Sequence, residues 1–393
     1  MLTKQHIQII KSTIPLLENA GPALTKHFYS RMFSHAPELK NIFNMSNQHN
    51  GKQQVALFEA IAAYAKNIEN VAVLKSAVER IAQKHTSLNI QPEHYKVVGH
   101  HLIETLRELA GEVFSLDVEE AWTKAYQFLA QIFINREAEL YQQRAESNGG
   151  WRDARAFKVI DTIVESQLVK SFIFAPVDQK TVISFYPGQY LGIEVIPNAE
   201  EYKEIRQYSL SNKPNGETYR ISVKREAGSI SGKVSNYLHD IIHIGDVVNL
   251  YAPAGDFFFV DRQKPVVLIS AGVGITPMQA MLESLAGKGY EKEVHYLHAC
   301  ENSEQHSFSP RTTQIINEHN WHQHIWYQNE EIKQQDTYTG FMDFTGINLP
   351  IKEGDFYLCG PIAFMQFAKQ KLLTLNVPET SIHYEVFGPH QSL

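Results

Sequence analysis

Only two cysteines, Cys300 and Cys359, occur in 393 residues. Two thiols at that separation have no metal-ligand spacing and cannot staple a chain of this length. A disulfide scaffold is excluded, and a reduced, cytoplasmic setting is expected. No apolar stretch nears the ~18 residues of a membrane helix, so no membrane span is expected. The opening residues, MLTKQHIQIIKSTIPLL, lack an unbroken apolar core and a small-residue cleavage site, so no secretory leader is expected. Positive charge is short too, with 36 Lys and Arg against 43 Asp and Glu, a net charge of −7. Without a Lys/Arg-rich run, nucleic acid and anionic membrane are poor partners for it. Internal repeats and low-complexity tracts are absent. What is present is a chain 43% hydrophobic and 20% charged, which is a globular composition. At about 150 residues per domain its length predicts two or three domains.

The texture changes twice. Residues 1–145 read as helical throughout, with apolar residues at helical spacing in Leu24, Phe28 and Met32, in Leu57, Ile61 and Tyr64, and in Leu74, Val78 and Ile81. AESNGGWRDAR (145–155) interrupts the pattern and reads as a linker. From there the period shortens: KVIDTIVES, VKSFIFAPV, QYLGIEVI, TYRISVKRE and DVVNLYAP predict strands of a small antiparallel β-barrel over 151–260. Over 261–393, the apolar runs PVVLIS, EVHYLHAC, HIWYQNE and DFYLCG alternate with the helical PMQAMLESLAG and IAFMQFAKQKLLTL. That alternation predicts a doubly wound, parallel α/β module.

The last two modules carry the first motifs. In VVLISAGVGITPMQAML (266–282) a buried strand runs into Gly272-Val273-Gly274, with Thr276 and Pro277 reading as N-cap and first helical position. Such a turn presents free N–H groups to a phosphate, although a Gly-x-Gly alone is equally an ordinary strand–helix turn. FYLCGPIAFM (356–365) ends a second strand in Cys-Gly-Pro before a helix, and ligands of doubly wound sheets bind at the carboxyl ends of strands. In the barrel, RQYSLSN (206–212) offers an arginine, an aromatic and a hydroxyl that could bind a pyrophosphate and a planar ring. GKVSNYLH (232–239) reads as a turn into a helix able to cradle another phosphate. RxYS, GVGxTP, CGP and a terminal YEVFGP (384–389), in that order, resemble the ferredoxin–NADP reductase superfamily across 152–393.

This resemblance implies FAD in the barrel and NADH or NADPH on the α/β module. Tyr190 of PGQYLG with Arg206, Gln207, Tyr208 and Ser209 would hold the flavin, and Gly232, Val234 and Ser235 a phosphate. Gly272, Val273, Gly274, Ile275, Thr276 and Pro277, with Cys359, Gly360 and Pro361, would frame the nicotinamide nucleotide. Val386, Phe387, Gly388 and Pro389 would cover the isoalloxazine face. Cys359 would be a pocket residue and no nucleophile, having no histidine beside it in sequence. Three departures touch these contacts: EAGSISGKVSN (226–236) is longer than the usual turn, Ile275 stands where a polar residue is common, and Val386 where Cys is common.

In the helical module one of 18 histidines stands out by its face. Leu74, Val78, Ile81 and His85 recur at helical spacing in VLKSAVERIAQKHTSL, so an imidazole projects from an apolar stripe. A buried histidine is ordinarily a satisfied core residue. Facing it, however, Gln53, Leu57 and Ile61 of QQVALFEAIAAYA (53–65) could share a surface carrying one polar group, which suits a haem pocket. HFYSRMFSHAPELKNIF (27–43), QKHTS (83–87), EHYKVVGHHL (93–102) and INREAEL (134–140) then resemble a globin.

Globin, barrel and nucleotide module, in this order and length, resemble the bacterial flavohaemoglobin family, nitric oxide dioxygenases containing haem b iron, FAD and NAD(P)H. The resemblance implies that NAD(P)H reduces FAD, FAD reduces haem, and the reduced haem turns O2 and NO into nitrate. His85 would be the axial iron ligand, with Tyr95 and Glu137 holding its ring. By spacing alone Glu137 reads as a solvated helix-end charge. Tyr29 would donate a hydrogen bond to the iron-bound gas and Gln53 would be a second distal polar group, while Phe43 and Leu57 keep the site apolar. Lys84 and Glu385 would set fixed charges near the route between cofactors, although each by itself is an ordinary surface charge. Other readings of the same modules are a flavin reductase of peroxides or other acceptors, an oxygen or NO sensor, and a lipid ligand in the haem pocket. The implied partners are the small molecules O2 and NO, acting on a monomer.

Overall fold

Thr3 opens the first helix by a reciprocal cap: its Oγ1 accepts from His6 N–H at 3.2 Å and its own N–H donates to His6 Nδ1 at 3.3 Å. The computed structural model describes residues 2–43, 51–197, 202–226 and 232–388. Helix α1 (Lys4–Ala20) stops at Gly21, whose φ of +53° suits a residue without Cβ, and Pro22 starts α2 (Pro22–His35) where no N–H is needed. A 3₁₀ turn (Pro37–Asn41) follows, then α3 (Lys52–Lys66), α4 (Lys75–Ser87), α5 (Pro92–Ala110) and the long α6 (Leu116–Glu146). Leu74 is the N-cap of α4 at the end of a 3₁₀ turn, so the stripe leading to His85 begins at Val78 within the helix.

The helices bury Ile10, Leu24, Phe28, Met32, Ala65, Leu102 and Trp122 in one cluster. Two buried polar tips are satisfied inside it: Tyr64 Oη donates to Ala125 O at 2.8 Å, and Trp122 Nε1 donates to Thr13 Oγ1 at 3.0 Å. A second cluster (Ala82, Ile90, Tyr95, Ala130, Phe133, Leu140) joins α4, α5 and α6 around His85.

Packing divides the chain into two compact units. One comprises Met1–Ser147, Trp151–Ala154 and Glu194–Arg206; the other comprises Asn148–Gly150, Arg155–Ile193 and Gln207–Leu393. Beyond the helices the chain forms two sheets. The first is built from β1 (Arg155–Val164), β2 (Val169–Pro176), β3 (Tyr190–Val195), β4 (Glu204–Ser209), β5 (Tyr219–Lys224) and β6 (Val247–Leu250), in the order β4-β3-β6-β1-β2-β5. Strand β1 runs antiparallel to β2 and β6, and β2 to β5; a bulge falls between Val159 and Asp161. A bridge from Leu210 to Ile221 joins the residue after β4 to β5, bringing the two ends of the sheet together as a barrel requires. Phe157, Phe172, Phe174, Leu191, Ile193, Tyr219 and Leu250 are fully buried on its strands. Helix α7 (Lys233–Asp240) lies between β5 and β6 in sequence.

The second sheet is parallel, in the order β10-β9-β8-β7-β11-β12, from β7 (Val266–Ala271), β8 (Val294–Cys300), β9 (His322–Tyr327), β10 (Thr337–Thr339), β11 (Asp355–Cys359) and β12 (Ile382–Glu385). Alternation along β7 separates its two faces. Val266 and Leu268 pack with Met278 and Leu282 of α8 (Ile275–Gly287) and Ile315 of α9 (Ser309–His319). Val267 and Ile269 pack with Ala368 and Leu372 of α10 (Ile362–Thr374). This is the doubly wound α/β arrangement expected from sequence, with α9, β10 and β12 as elements the sequence pattern did not pick out.

Candidate functional site

The helical unit gathers three side chains from three helices. His85 sits near the end of α4, Tyr95 near the start of α5, and Glu137 along α6. His85 Nδ1–H donates to Glu137 Oε1 at 2.7 Å and lies 2.9 Å from Tyr95 Oη, while Tyr95 Oη–H donates to the same carboxylate oxygen at 2.5 Å. Glu137 is only 3% exposed, so it is no solvated helix-end charge. Burial and this carboxylate push the Tyr95 phenol far above its usual range, keeping it a proton donor. With Nδ1 fixed as the donor, Nε2 is the nitrogen left with a lone pair for a metal, and it makes no hydrogen bond among the described residues. Phe133 closes one side, its ring 5.7 Å from the imidazole and 6.3 Å from Tyr95.

Around this triad lies a polar frame that sequence reasoning missed. Arg144 on α6 donates to Thr86 Oγ1 at 2.6 Å and to Gln83 Oε1 at 2.5 Å, gripping the α4 residues on either side of His85. Gln83 donates to Glu79 at 2.8 Å, and Glu79 accepts from Arg136 at 2.6 Å. Tyr126 Oη donates to the Tyr95 carbonyl at 2.6 Å, and its ring lies so close to Gly99 that a Cβ there would collide with it.

Tyr29 on α2 is 5% exposed and surrounded by rings: Phe28 at 5.0 Å, Phe33 at 5.9 Å and Phe43 at 5.8 Å. Leu57 and Phe43 pack against the same cluster that contains Tyr29 and Ile61, and Gln53, also half-buried, stands at the start of α3. The start of α3 is tied to α2 by Thr25 Oγ1, which donates to Gln54 O at 2.7 Å. Phe33 was not among the expected residues; its spacing of four from Tyr29 was the available signal. Lys84 is half-buried beside His85 and Glu385 is half-buried at the end of β12; they stand in separate units.

In the barrel, Tyr190 begins β3, exchanging backbone hydrogen bonds of 3.0 and 2.8 Å with Ala254. Gly255, at φ +116°, is placed where a Cβ would meet the Tyr190 ring. Arg206 and Glu204, two apart on β4, form an ion pair at 2.8 Å; Glu204 is a further buried group that sequence did not flag. Gln207 and Tyr208 are half-buried, and Ser209 is 6% exposed with its Oγ bonded to nothing among the described residues. A buried hydroxyl left so costs free energy unless a ligand edge meets it, which fits a flavin there. At the start of α7, Val234 and Ser235 are buried, Gly232 is the N-cap, and Ser235 Oγ donates to the Gly232 carbonyl at 3.3 Å. Residues 227–231 of the long turn lie outside the described residues.

The parallel sheet reverses its strand order between β7 and β11, and both glycine turns leave the carboxyl ends of these two strands. Gly272-Val273-Gly274 is a 3₁₀ turn that runs straight into α8 at Ile275. The N-cap is therefore Gly274 and not Thr276: the chain is already helical at Thr276, whose Oγ1 turns back and donates to the Val273 carbonyl at 3.0 Å, and Pro277 is the third residue of the helix. A Cβ on Gly274 would collide with the Cys359 carbonyl, so glycine lets the two turns touch. Ile275 and Cys359 are fully buried, and burial pushes the Cys359 thiol well above its ordinary range, against any nucleophilic part. Gly360 and Pro361 lead into α10. Val386 is buried, Phe387 is 45% exposed and Gly388 follows; Pro389 lies outside the described residues.

Comparison with known proteins matches residues 26–133 to the Globin family, 156–259 to the Oxidoreductase FAD-binding domain and 268–370 to the Oxidoreductase NAD-binding domain. The chain is 60% identical over 395 aligned positions to the Flavohemoprotein of Vibrio cholerae serotype O1, with both chains covered completely. The crystal structure of flavohemoglobin from Malassezia yamatoensis with bound FAD and heme is similar at a TM-score of 0.88 and 27% identity, covering 98% of this chain and 100% of that one. The flavohem-like FAD/NAD-binding domain of nitric oxide dioxygenase from Vibrio cholerae O1 biovar El Tor is 52% identical, with a TM-score of 0.58 over 61% of this chain and 100% of that one. A globin, an FAD-binding domain and an NAD-binding domain in this order, with 60% identity along the whole length, make this chain a member of the flavohaemoglobin family and an NAD(P)H-dependent oxidoreductase.

Proposed function

We propose that the chain is a nitric oxide dioxygenase, in which two NO, two O2 and one NAD(P)H become two nitrate ions, NAD(P)+ and one proton. When bound, the nicotinamide supplies a hydride, FAD divides its electron pair into single electrons, and haem iron supplies the metal at which the two gases react. The observation that carries the reading is the His85–Glu137–Tyr95 triad in a chain that also has flavin and nicotinamide folds.

His85 Nε2 would hold the haem iron. Glu137 and Tyr95, both on its Nδ1 side, hold the ring's rotation and make it more electron-donating. Tyr29 would donate a hydrogen bond to a partly negative oxygen atom in the haem pocket, Gln53 would be a second polar group there, and Leu57 and Phe43 would exclude water. Lys84 and Glu385 would contribute fixed charges near the cofactors. Tyr190, Arg206, Gln207, Tyr208 and Ser209 bind the flavin, with Gly232, Val234 and Ser235 on a phosphate. Gly272 to Pro277 and Cys359 to Pro361 bind the nicotinamide nucleotide, and Val386 to Pro389 cover the flavin ring.

We assign the globin module to 1–145, the flavin barrel to 151–260 and the nucleotide module to 261–393. No described helix is long and apolar enough to cross a membrane. The two free thiols suit a reducing cytoplasm, and each chain carries a full set of sites, so the proposal is for a monomer. The test is NO consumption by haem- and FAD-loaded protein on an electrode, followed by nitrate determination. Repeated removal of NO that requires both O2 and NADH, with nitrate formed, is expected. Oxidation of NADH while NO persists overturns the reading and leaves a flavin reductase with another acceptor.

A further inference from the structure

Away from both sets of site residues, one His/Glu cluster stands apart. Glu293 immediately precedes β8, His295 is the second residue of β8, and His322 opens β9. His295 and His322 are register partners across the parallel pair. Their imidazoles stack with centroids 4.5 Å apart at 25°, and both Nε2 atoms meet the same carboxylate oxygen of Glu293, at 2.8 and 3.2 Å. The three potential ligand atoms all lie within 4.8 Å of one another. They sit at the amino-terminal edge of the sheet, the end opposite the glycine turns.

We propose that Glu293, His295 and His322 form a binding site for a borderline divalent cation of the zinc class. Two imidazole nitrogens and one carboxylate oxygen, with a fourth position open to water, are a zinc donor set; the imidazoles disfavour calcium and magnesium. Tetrahedral zinc at ordinary bond lengths places its ligand atoms about 3.3 Å apart, so the observed 2.8 and 3.2 Å need to open by only a few tenths of an ångström. Two of the donors are on neighbouring strands, which fixes their separation before any ion arrives. The Glu293 carbonyl also accepts from Val266 N–H at 2.9 Å, so an ion here ties together the starts of β7, β8 and β9. The His322 and Glu293 side chains are 50% and 41% exposed, leaving a path for the ion.

One feature sets the strength. His295 Nδ1 is buried with no hydrogen-bond partner among the described residues, so the outer acceptor that usually supports a metal-bound histidine is missing. Such an acceptor is worth about 10–100-fold in affinity, which places this site in the range of exchangeable zinc and not of a permanent structural ion.

The test uses untagged, haem- and FAD-loaded full-length protein titrated with zinc chloride against a chromophoric chelator. Expected is one zinc equivalent per chain that His322→Gln and Glu293→Gln each weaken at least tenfold, and that millimolar magnesium or calcium leaves unchanged. Zinc should also raise the temperature of flavin release in the native chain and not in His322→Gln, whose replaced side chain is half exposed. A copper(II) titration monitored by electron paramagnetic resonance should show coupling to two nitrogens. Equal zinc affinity and stoichiometry in the native and His322→Gln proteins, or displacement by calcium, overturns the site. Zinc content is independent of NO turnover, so neither result touches the dioxygenase reading.

Discussion

At the scale of the residue, the chemistry of His85 is decided on its far side. A carboxylate that is 3% exposed and a phenol that is 9% exposed both engage Nδ1, so the ring cannot turn or exchange nitrogens without stranding a buried charge. Glu137→Gln removes the charge and keeps the shape. Haem retention or NO turnover should fall by about 10–100-fold, and the iron–histidine stretch of the reduced protein should move to lower frequency in resonance Raman spectra. An unmoved frequency would assign Glu137 to packing alone. On the proposed distal side, Tyr29→Phe deletes one hydroxyl from a site already packed by Phe28, Phe33 and Phe43. A hydrogen bond to a partly charged ligand is worth ~1.5–3 kcal/mol, so the O2 off-rate should rise roughly ten- to a hundredfold. An unchanged off-rate in flash photolysis would rule out Tyr29 as the donor.

At the scale of the element, α4 is held to α6 by the apolar cluster around Ala82 and Phe133 and by Arg144. Its guanidinium reaches Thr86 and Gln83, one on each side of His85, and is itself buried. Arg144→Ala should cost about 1.5–3 kcal/mol per charged hydrogen bond lost, read as a lowered urea midpoint of the helical circular dichroism signal. An Arg144→Lys chain should recover only part of it, because one ammonium cannot span both acceptors as the fork does. Sequence alone made the imidazole on an apolar stripe legible, because periodicity marks which residues share a face. It left Glu79, Gln83, Arg136 and Arg144 unread: polar side chains on a helix resemble a solvated face until the opposing helix is known. Helix α9 was missed for the same reason, since only Thr312, Ile315 and Ile316 are buried in it. The cap assigned to Thr276 failed because a Gly-Val-Gly turn can already wind as 3₁₀ helix, which puts the first polar residue inside the helix. The barrel strands were legible because alternating runs separated by Gly, Pro and Asn turns report both period and boundaries.

At the scale of the whole molecule, the two compact units should respond separately to acid and to loss of a cofactor. In the reductase unit, burial pushes the His306 imidazole down to about 4 and His298 well below its ordinary value, their rings 5.0 Å apart. The unfolded chain takes up these protons near pH 6.5 and the folded one only below it, so the stability they contribute is fully present above about 6.5 and lost as pH falls toward 4. For His306 this amounts to about 3 kcal/mol. The urea midpoint followed by flavin fluorescence should therefore drop between pH 7.5 and 5, and His306→Gln should flatten the drop. Cofactor loading separates the units more directly. Ser209 has a buried hydroxyl awaiting a partner in the reductase unit, whereas His85, Tyr95 and Glu137 all belong to the helical one. Ser209→Ala should lower FAD per chain or slow flavin reduction by NADH while leaving haem per chain and the Soret band unchanged. NO consumption should fall in step with flavin content and recover on adding excess FAD, because the globin has lost its electron supply and not its iron site. Collapse of haem loading with the flavin retained would overturn the assignment of Ser209 to the flavin.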